Sequence, residues 1–395
     1  LSKLKDSWIS VIIINLIIFA LVTVVLKQSY KISLLLILVI ILSLLYLEKK
    51  GVINRIFSLF IRHKKVALIS ALICIFGTPL MLIGNAYVVH IAVLCCIYGM
   101  VALGLNFQMG STDMTNFASA AFFGIGAYTA AVVTIRFGWN PWIGLVLAVL
   151  VAVIFGFVLG APTLGTKGYY LSLVTMALQL VFTMLLVNIP YLGGANGMSG
   201  LPAFTIGGFS FGKAVFIGGT KLPYQLNYLY LALIFLVICT YIAMRVNISR
   251  IGLALNNIAQ DEVASNCFGI NITRQKLFAF CMGAAFCGIA GAIYGHYMMF
   301  VGPDDFDFSK SLIIICMVIL GGMDNPIGVV VGAFILMTVT EKLRDYADYQ
   351  MLIYGLVLMT VLIARPSGLI PKRVRNYCEV FKKNLVKGDI KKEEA

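Results

Sequence analysis

Apolar side chains in this chain fall in long unbroken runs, separated by short polar stretches, rather than recurring at the spacing of an amphipathic helix or strand. A helix that crosses a bilayer needs about 20 mostly apolar residues, because each adds about 1.5 Å toward a hydrocarbon core of about 30 Å. Runs of that kind cover Trp8–Leu26, Ile32–Leu47, Val66–Ile83, Val88–Phe107, Phe117–Ile135, Trp139–Gly160, Gly168–Ile189, Tyr228–Met244, Leu277–Phe300 and Tyr349–Ala364. Hydrocarbon offers no partners to backbone N–H and C=O groups, so each run is predicted to be a helix. The expected fold is an all-α polytopic bundle of about 10 crossings.

Two interruptions stand out. The apolar stretch Leu312–Thr340 is broken by Gly321-Gly322-Met323-Asp324-Asn325-Pro326, which predicts a re-entrant pair of half-helices leaving and returning on one side. Irregular backbone at membrane depth is tolerated where it is buried in protein or lines a wet cavity. Met109-Gly110-Ser111-Thr112-Asp113-Met114-Thr115-Asn116 resembles that break, with Gly110 ahead of Asp113 as Gly322 is ahead of Asp324. The likeness suggests an internal repeat, with copies near 88–190 and 277–364. The organisation read from these patterns is a three-span extension over 1–87, a core over 88–370, and a basic tail over 371–395.

Composition sharpens the class. The chain is 61% hydrophobic and only 12% charged, against about 25% charged in soluble domains. Its net charge of +14 sits between and after the apolar runs, so it points to orientation and anionic headgroups, with no nucleic-acid partner. With the N-terminus placed in the cytoplasm, the inside segments carry 22 of the 30 Lys and Arg residues, which puts both termini inside. The first run is longer than a signal-peptide core and lacks a small-x-small cleavage site, so it reads as a retained signal-anchor helix, with a few residues expected before Leu1.

Covalent chemistry finds little support. Seven of the nine cysteines (Cys74, Cys95, Cys96, Cys239, Cys281, Cys287 and Cys316) lie inside apolar runs and read as small hydrophobic side chains. His63, His90 and His296 are far apart, without spacing for zinc or a catalytic triad. Gly160-Ala-Pro-Thr-Leu-Gly165-Thr-Lys167 comes near a P-loop, yet has Thr where the motif needs Lys and follows an apolar run instead of a soluble strand. The chain is expected to be no enzyme, to hydrolyse no ATP, and to hold no cofactor or metal.

Three features carry the functional reading. Polar residues at membrane depth are costly unless paired, which singles out Asn106, Asp113, Asn116, Ser119, Thr175, Gln179, Asp324 and Asn325 as either helix-packing glue or the lining of a path. Gly283, Gly288, Gly291 and Gly295 on one span, and Gly124 and Gly126 on another, point to close helix packing. Ser249 to Asn271 has a short amphipathic rhythm (Ile251, Leu255, Ile258, Val263) and ends at Gly269, the shape of a docking element.

At that segment the chain resembles the permease subunits of branched-chain amino acid ATP-binding cassette importers. Their loop of the form G-x-A-L-x-A-I-x-x-[DN]-E-x-A-A-x-x-x-G-I is matched from Gly252 to Ile270. Ala121-Phe-Phe-Gly-Ile-Gly-Ala-Tyr-Thr129, Gly168-Tyr-Tyr-Leu-Ser-Leu-Val-Thr175, Gly193-Gly-Ala-Asn-Gly197, His296-Tyr-Met-Met-Phe-Val-Gly-Pro-Asp304, Leu320-Gly-Gly322 and Arg365-Pro-Ser-Gly-Leu369 follow in the family's order. The chain departs from the family where Asp113 and Asp324 stand in place of glycine, where Ser119 replaces His or Gln, and where Leu192 replaces Thr. It also lacks the arginines usual near Leu253 and Ala259.

The resemblance implies a half-pore in a bacterial cytoplasmic membrane. Its partners would be a second homologous permease, two ATPase subunits and an external substrate-binding protein. It assigns Gly252, Leu255, Asp261, Glu262 and Gly269 to ATPase coupling, and Asn106, Asp113, Asn116, Ser119, Thr175, Asp324 and Asn325 to the translocation path. Gly193, Gly194, Asn196, Pro303 and Asp304 become candidates for contact with the binding protein. A urea or short-amide importer permease, an ion-coupled secondary transporter using Asp113 or Asp324, and a membrane scaffold are the alternatives.

Overall fold

The computed structural model describes residues 8–28, 64–81, 84–163, 169–217, 220–344 and 368–370, with scattered positions among 36–43 and 349–363. Most of the predicted spans Ile32–Leu47 and Tyr349–Ala364, the basic stretch 48–63, residues 164–168 and the tail 371–395 lie outside the described residues.

The helices, in chain order, are α1 (Trp8–Lys27), α2 (Lys64–Met81), α3 (Ala86–Thr112), α4 (Ser119–Ile135), α5 (Pro141–Thr163), α6 (Tyr169–Asn188), α7 (Tyr224–Ile248), α8 (Arg250–Gln260), α9 (Glu262–Cys267), α10 (Ile272–Met298), α11 (Phe308–Gly321) and α12 (Pro326–Lys342). Six of them (α1, α3, α5, α6, α7 and α10) contain stretches long and apolar enough to cross a membrane. In α3, 94% of the apolar stretch is buried, against 33% in α5 and 22% in α6. So α3 is a core helix, whereas α5 and α6 turn Val146, Leu150, Ile154, Leu173, Val181 and Met184 outward. That is the perimeter expected of a bundle surrounded by lipid or by partner helices.

Glycines set how closely the core helices approach. Helix α10 packs against α3, α4 and α5. A Cβ at Gly283 would meet the Gly104 carbonyl at 2.8 Å, and one at Gly126 would meet the Gly288 carbonyl at 2.6 Å. A methyl at Gly291 would strike the Phe123 carbonyl. With no hydrophobic drive between helices in lipid, such van der Waals contact is the main source of their association.

The chain path separates two ends. At one, the Tyr87 hydroxyl in the first turn of α3 donates to the Glu341 carbonyl of α12 at 3.1 Å, and Tyr228 of α7 donates to the His296 carbonyl of α10 at 3.0 Å. Here too lie the short antiparallel pairs β1 (Met198–Ser199) with β6 (Phe300–Val301), β2 (Thr205–Ile206) with β3 (Phe209–Ser210), and β4 (Val215–Ile217) with β5 (Thr220–Leu222). These short pairs add a little strand to a fold that is otherwise helical, as expected. Gly207 and Gly208, at φ 54° and 88°, supply the two-residue turn that a β2–β3 hairpin requires. The other end carries α8 and α9.

Helices α11 and α12 form a hairpin that starts and finishes at the end carrying these strand pairs, with Gly322 and Asp324 of its turn buried, Met323 exposed, and both helices packed on α3. Several boundaries move from their sequence expectation. Helix α3 runs on to Thr112 instead of stopping at Phe107, so the first break shrinks to 113–118. Helix α10 starts five residues earlier than Leu277, at Ile272, because Asn271 caps it by accepting from Arg274 N at 3.0 Å.

Candidate coupling and translocation site

Both breaks turn on an aspartate in the left-handed region. Asp113 ends α3 at φ 55°, and Met114 N donates to the Gln108 carbonyl at 2.9 Å, closing the helix as a glycine normally would. Asp324 sits at φ 62° after Gly322 at φ 112°. Asp and Asn tolerate this region better than most other side chains, so an aspartate can hold the turn at both breaks. Asn325 then caps α12, its Oδ1 accepting from Gly328 N at 3.4 Å, with Pro326 at the first helical position.

The last turns of α3, just ahead of the first break, touch the second break. Ser111 Oγ donates to Asp324 Oδ1 at 2.7 Å, and Asp324 N donates to Asn106 Oδ1 at 2.8 Å. A Cβ at Gly110 would collide with the Asp324 backbone. The α11 carbonyls left open at the second break are met from the far end of the chain. Leu369 N donates to the Leu320 carbonyl at 2.9 Å and Ile370 N to the Gly321 carbonyl at 3.1 Å, with Gly368 at φ 74° against Gly322.

The polar residues singled out at depth fall into two groups. Asn106, Asn116, Thr175, Gln179 and Asp324 are buried and bonded within the chain. Asn116 Nδ2 donates to Gln108 Oε1 at 2.6 Å, while its Oδ1 accepts from Ala118 N at 2.7 Å. Thr175 Oγ1 accepts from Phe117 N at 3.1 Å. Gln179 joins three elements: Oε1 accepts from Ala121 N at 2.7 Å and from Ser311 Oγ at 3.2 Å, and Nε2 donates to the Phe306 carbonyl at 2.7 Å. Ser119 is buried at the start of α4 and Asn325 half-buried at the second break, whereas Asp113 is exposed.

Asp113 faces the segment assigned to coupling. A cavity of about 210 Å³ is lined by Thr112, Asp113, Met114, Thr115 and Leu171 on one side and by Ile258 to Glu262 and Lys276 on the other. Ser249 caps α8, accepting from Gly252 N at 3.4 Å, and Gly252 lies so close to the Val246 and Asn247 carbonyls that no side chain fits. Leu255 and Ile258 are buried beneath α8. Asp261 caps α9, its Oδ1 accepting from Val263 N at 2.8 Å and Ala264 N at 3.0 Å. Glu262 meets Lys276 of α10 at 2.5 Å. Gly269, at φ 76°, makes the turn into α10.

The amphipathic rhythm needs correction here. Val263 is 73% exposed and does not continue the buried face of Leu255 and Ile258, because the Asp261 cap starts a new helix in a new direction. Phe268, at 84% exposed, is a second bare apolar side chain in this segment.

At the hairpin end, the two candidate contact segments are joined. Met198 pairs with Val301 and Ser199 with Phe300, which brings the turn Gly194–Asn196 beside Pro303–Phe306. Asn196 and Asp304 are exposed, Gly193 and Gly194 half-buried, and Pro303 buried. Sequence reasoning missed Gln108, Ser111, Ser311 and Lys276, which become visible only through partners between 8 and 213 residues away.

Comparison with known proteins adds the identity. The family model described as branched-chain amino acid transport system / permease component matches residues 87–362. The high-affinity branched-chain amino acid transport system permease proteins LivM of Escherichia coli (strain K12) and Salmonella typhimurium are each 34% identical over 321 residues, covering 78% of this chain and 75% of theirs. The permease protein LivH of Escherichia coli (strain K12) is 24% identical over 292 residues, covering 69% of this chain and 91% of its own. No solved structure matches. The family match spans both breaks and the α8–α9 segment, and this chain belongs to the branched-chain amino acid transport system permease family.

Proposed function

We propose that this chain is a transmembrane permease subunit of an ATP-binding cassette importer for branched-chain amino acids, multi-pass in a bacterial cytoplasmic membrane. A second permease of the same family, two ATPase subunits and an external binding protein complete the importer. The core over 88–370 forms the half-pore, with 308–342 as a re-entrant pair and the two aspartate breaks as corresponding points of an internal repeat. The α8–α9 end is cytoplasmic, in keeping with the 22 Lys and Arg residues assigned to that side.

The observation that carries this reading is the cavity shared by the α8–α9 element and the first break. An ATPase closing on α8 and α9 pushes against 112–115, and the Ser111–Asp324 contact passes that displacement to the second break. Solute arrives from a binding protein seated on 193–196 and 303–304, so selectivity rests with that protein and the permease needs no tight site. The chemistry of ATP hydrolysis belongs to the ATPase subunits.

The test is reconstitution of this chain with the second permease, ATPases and binding protein of its gene neighbourhood in proteoliposomes. Leucine uptake that requires ATP and survives collapse of ion gradients supports the reading. Uptake that persists without the ATPases and disappears with the ion gradient overturns it in favour of a secondary transporter.

A further inference from the structure

A lysine ammonium is tolerated at low exposure only with a counter-charge. Lys276 lies in the second turn of α10, and its side chain is 9% exposed. Its place is explained by Glu262 of α9, whose Oε1 is 2.5 Å from the ammonium and whose side chain is 44% exposed. Little else holds α9. Ser265 is its buried residue, while Val263 and Phe268 point away from the bundle. By contrast, α8 is seated by Leu255 and Ile258. The ion pair therefore fixes where α9 sits relative to α10. Helix α10 in turn packs on α3, α4 and α5, and Lys276 itself lines the cavity beside Thr112 to Thr115.

We propose that Lys276 is the positioning residue that links the ATPase-facing element to the bundle, its ion pair with Glu262 carrying displacement of α9 into α10 and the first break. The inference rests on the permease reading above. Neither residue touches solute. The pair sets how much of an ATPase movement reaches the helices, so its loss separates hydrolysis from transport.

The experiment measures leucine imported per ATP hydrolysed in proteoliposomes of the complete importer. Lys276→Met and Glu262→Gln are each expected to lower that ratio at least about fivefold, the lower end of ordinary coupling energies. Lys276→Arg keeps the ratio within about twofold, and the swap of Lys276→Glu with Glu262→Lys recovers most of what either single charge reversal loses. Because Glu262 is half-exposed, Glu262→Gln reads the link even if Lys276→Met fails to assemble. An unchanged ratio in Glu262→Gln, or a charge swap no better than its single changes, overturns the link. Failure of the wild-type importer to couple uptake to ATP overturns the permease reading instead.

Discussion

Ser111 and Asp324 stand 213 residues apart in sequence, yet the serine hydroxyl donates to the aspartate carboxylate at 2.7 Å inside the bundle. Together with Asn106 Oδ1 on the Asp324 amide, this bond fastens the last turns of α3 to the second break. Removing a buried hydrogen-bond partner costs about 1–3 kcal/mol. Ser111→Ala is therefore expected to lower the melting midpoint of the purified complex by several degrees, read by intrinsic fluorescence. An unshifted midpoint would show that the second break is held against α3 by packing alone.

The backbone at Asp324 makes a second, ordered prediction. Asp324→Gly and Asp324→Ala both lose the carboxylate, but only glycine adopts φ 62° without strain. Alanine there costs about 1–2 kcal/mol more than glycine, and the gap should appear in thermal midpoints measured side by side. Equal midpoints would contradict the left-handed turn at this position.

Gly110 tests how closely the end of α3 approaches the second break. A methyl there meets the Asp324 backbone, which has nowhere to move. Overpacking of this kind costs about 1–3 kcal/mol, so Gly110→Ala is expected to reduce the yield of folded protein and lower its midpoint. Gly269, which is left-handed at φ 76° and has open space around it, should behave differently. Gly269→Ala is expected to insert and assemble normally while lowering solute transport per ATP, because it disturbs only the turn from α9 into α10.

At the opposite end, Asn196 and Asp304 are exposed on neighbouring turns that the β1–β6 pair holds together. Asp304→Lys is expected to raise, by about tenfold or roughly 1.4 kcal/mol, the binding-protein concentration giving half-maximal stimulation of ATP hydrolysis. Hydrolysis in the absence of binding protein gives the reference. A stimulation curve identical to wild type would remove this surface from the docking site.

Much of this was legible in the sequence, for identifiable reasons. Helices such as α3 and α10 follow from run length, since lipid leaves an apolar run of that size no other structure. The breaks were visible because glycine, aspartate and proline interrupt apolar stretches. The partners of the polar residues were not. Gln179 reaches Ala121, Ser311 and Phe306, and no periodicity along one helix encodes which neighbours a long amide will staple. Lys276 was hidden for the same reason, as one basic residue in a polar segment until the fold set Glu262 beside it. Gly368 appeared only as part of the Arg365-Pro-Ser-Gly-Leu369 motif, and the hydrogen bonds of Leu369 and Ile370 reveal that segment as the seal on the second break.

The account stands on ATP hydrolysis elsewhere being spent through this chain. The most direct measurement is ATP hydrolysis by the reconstituted importer with and without leucine-loaded binding protein on the outer face. The account predicts that loaded binding protein stimulates hydrolysis and that leucine enters the vesicles in step with it. Hydrolysis indifferent to the loaded binding protein, with no leucine entering, would contradict it.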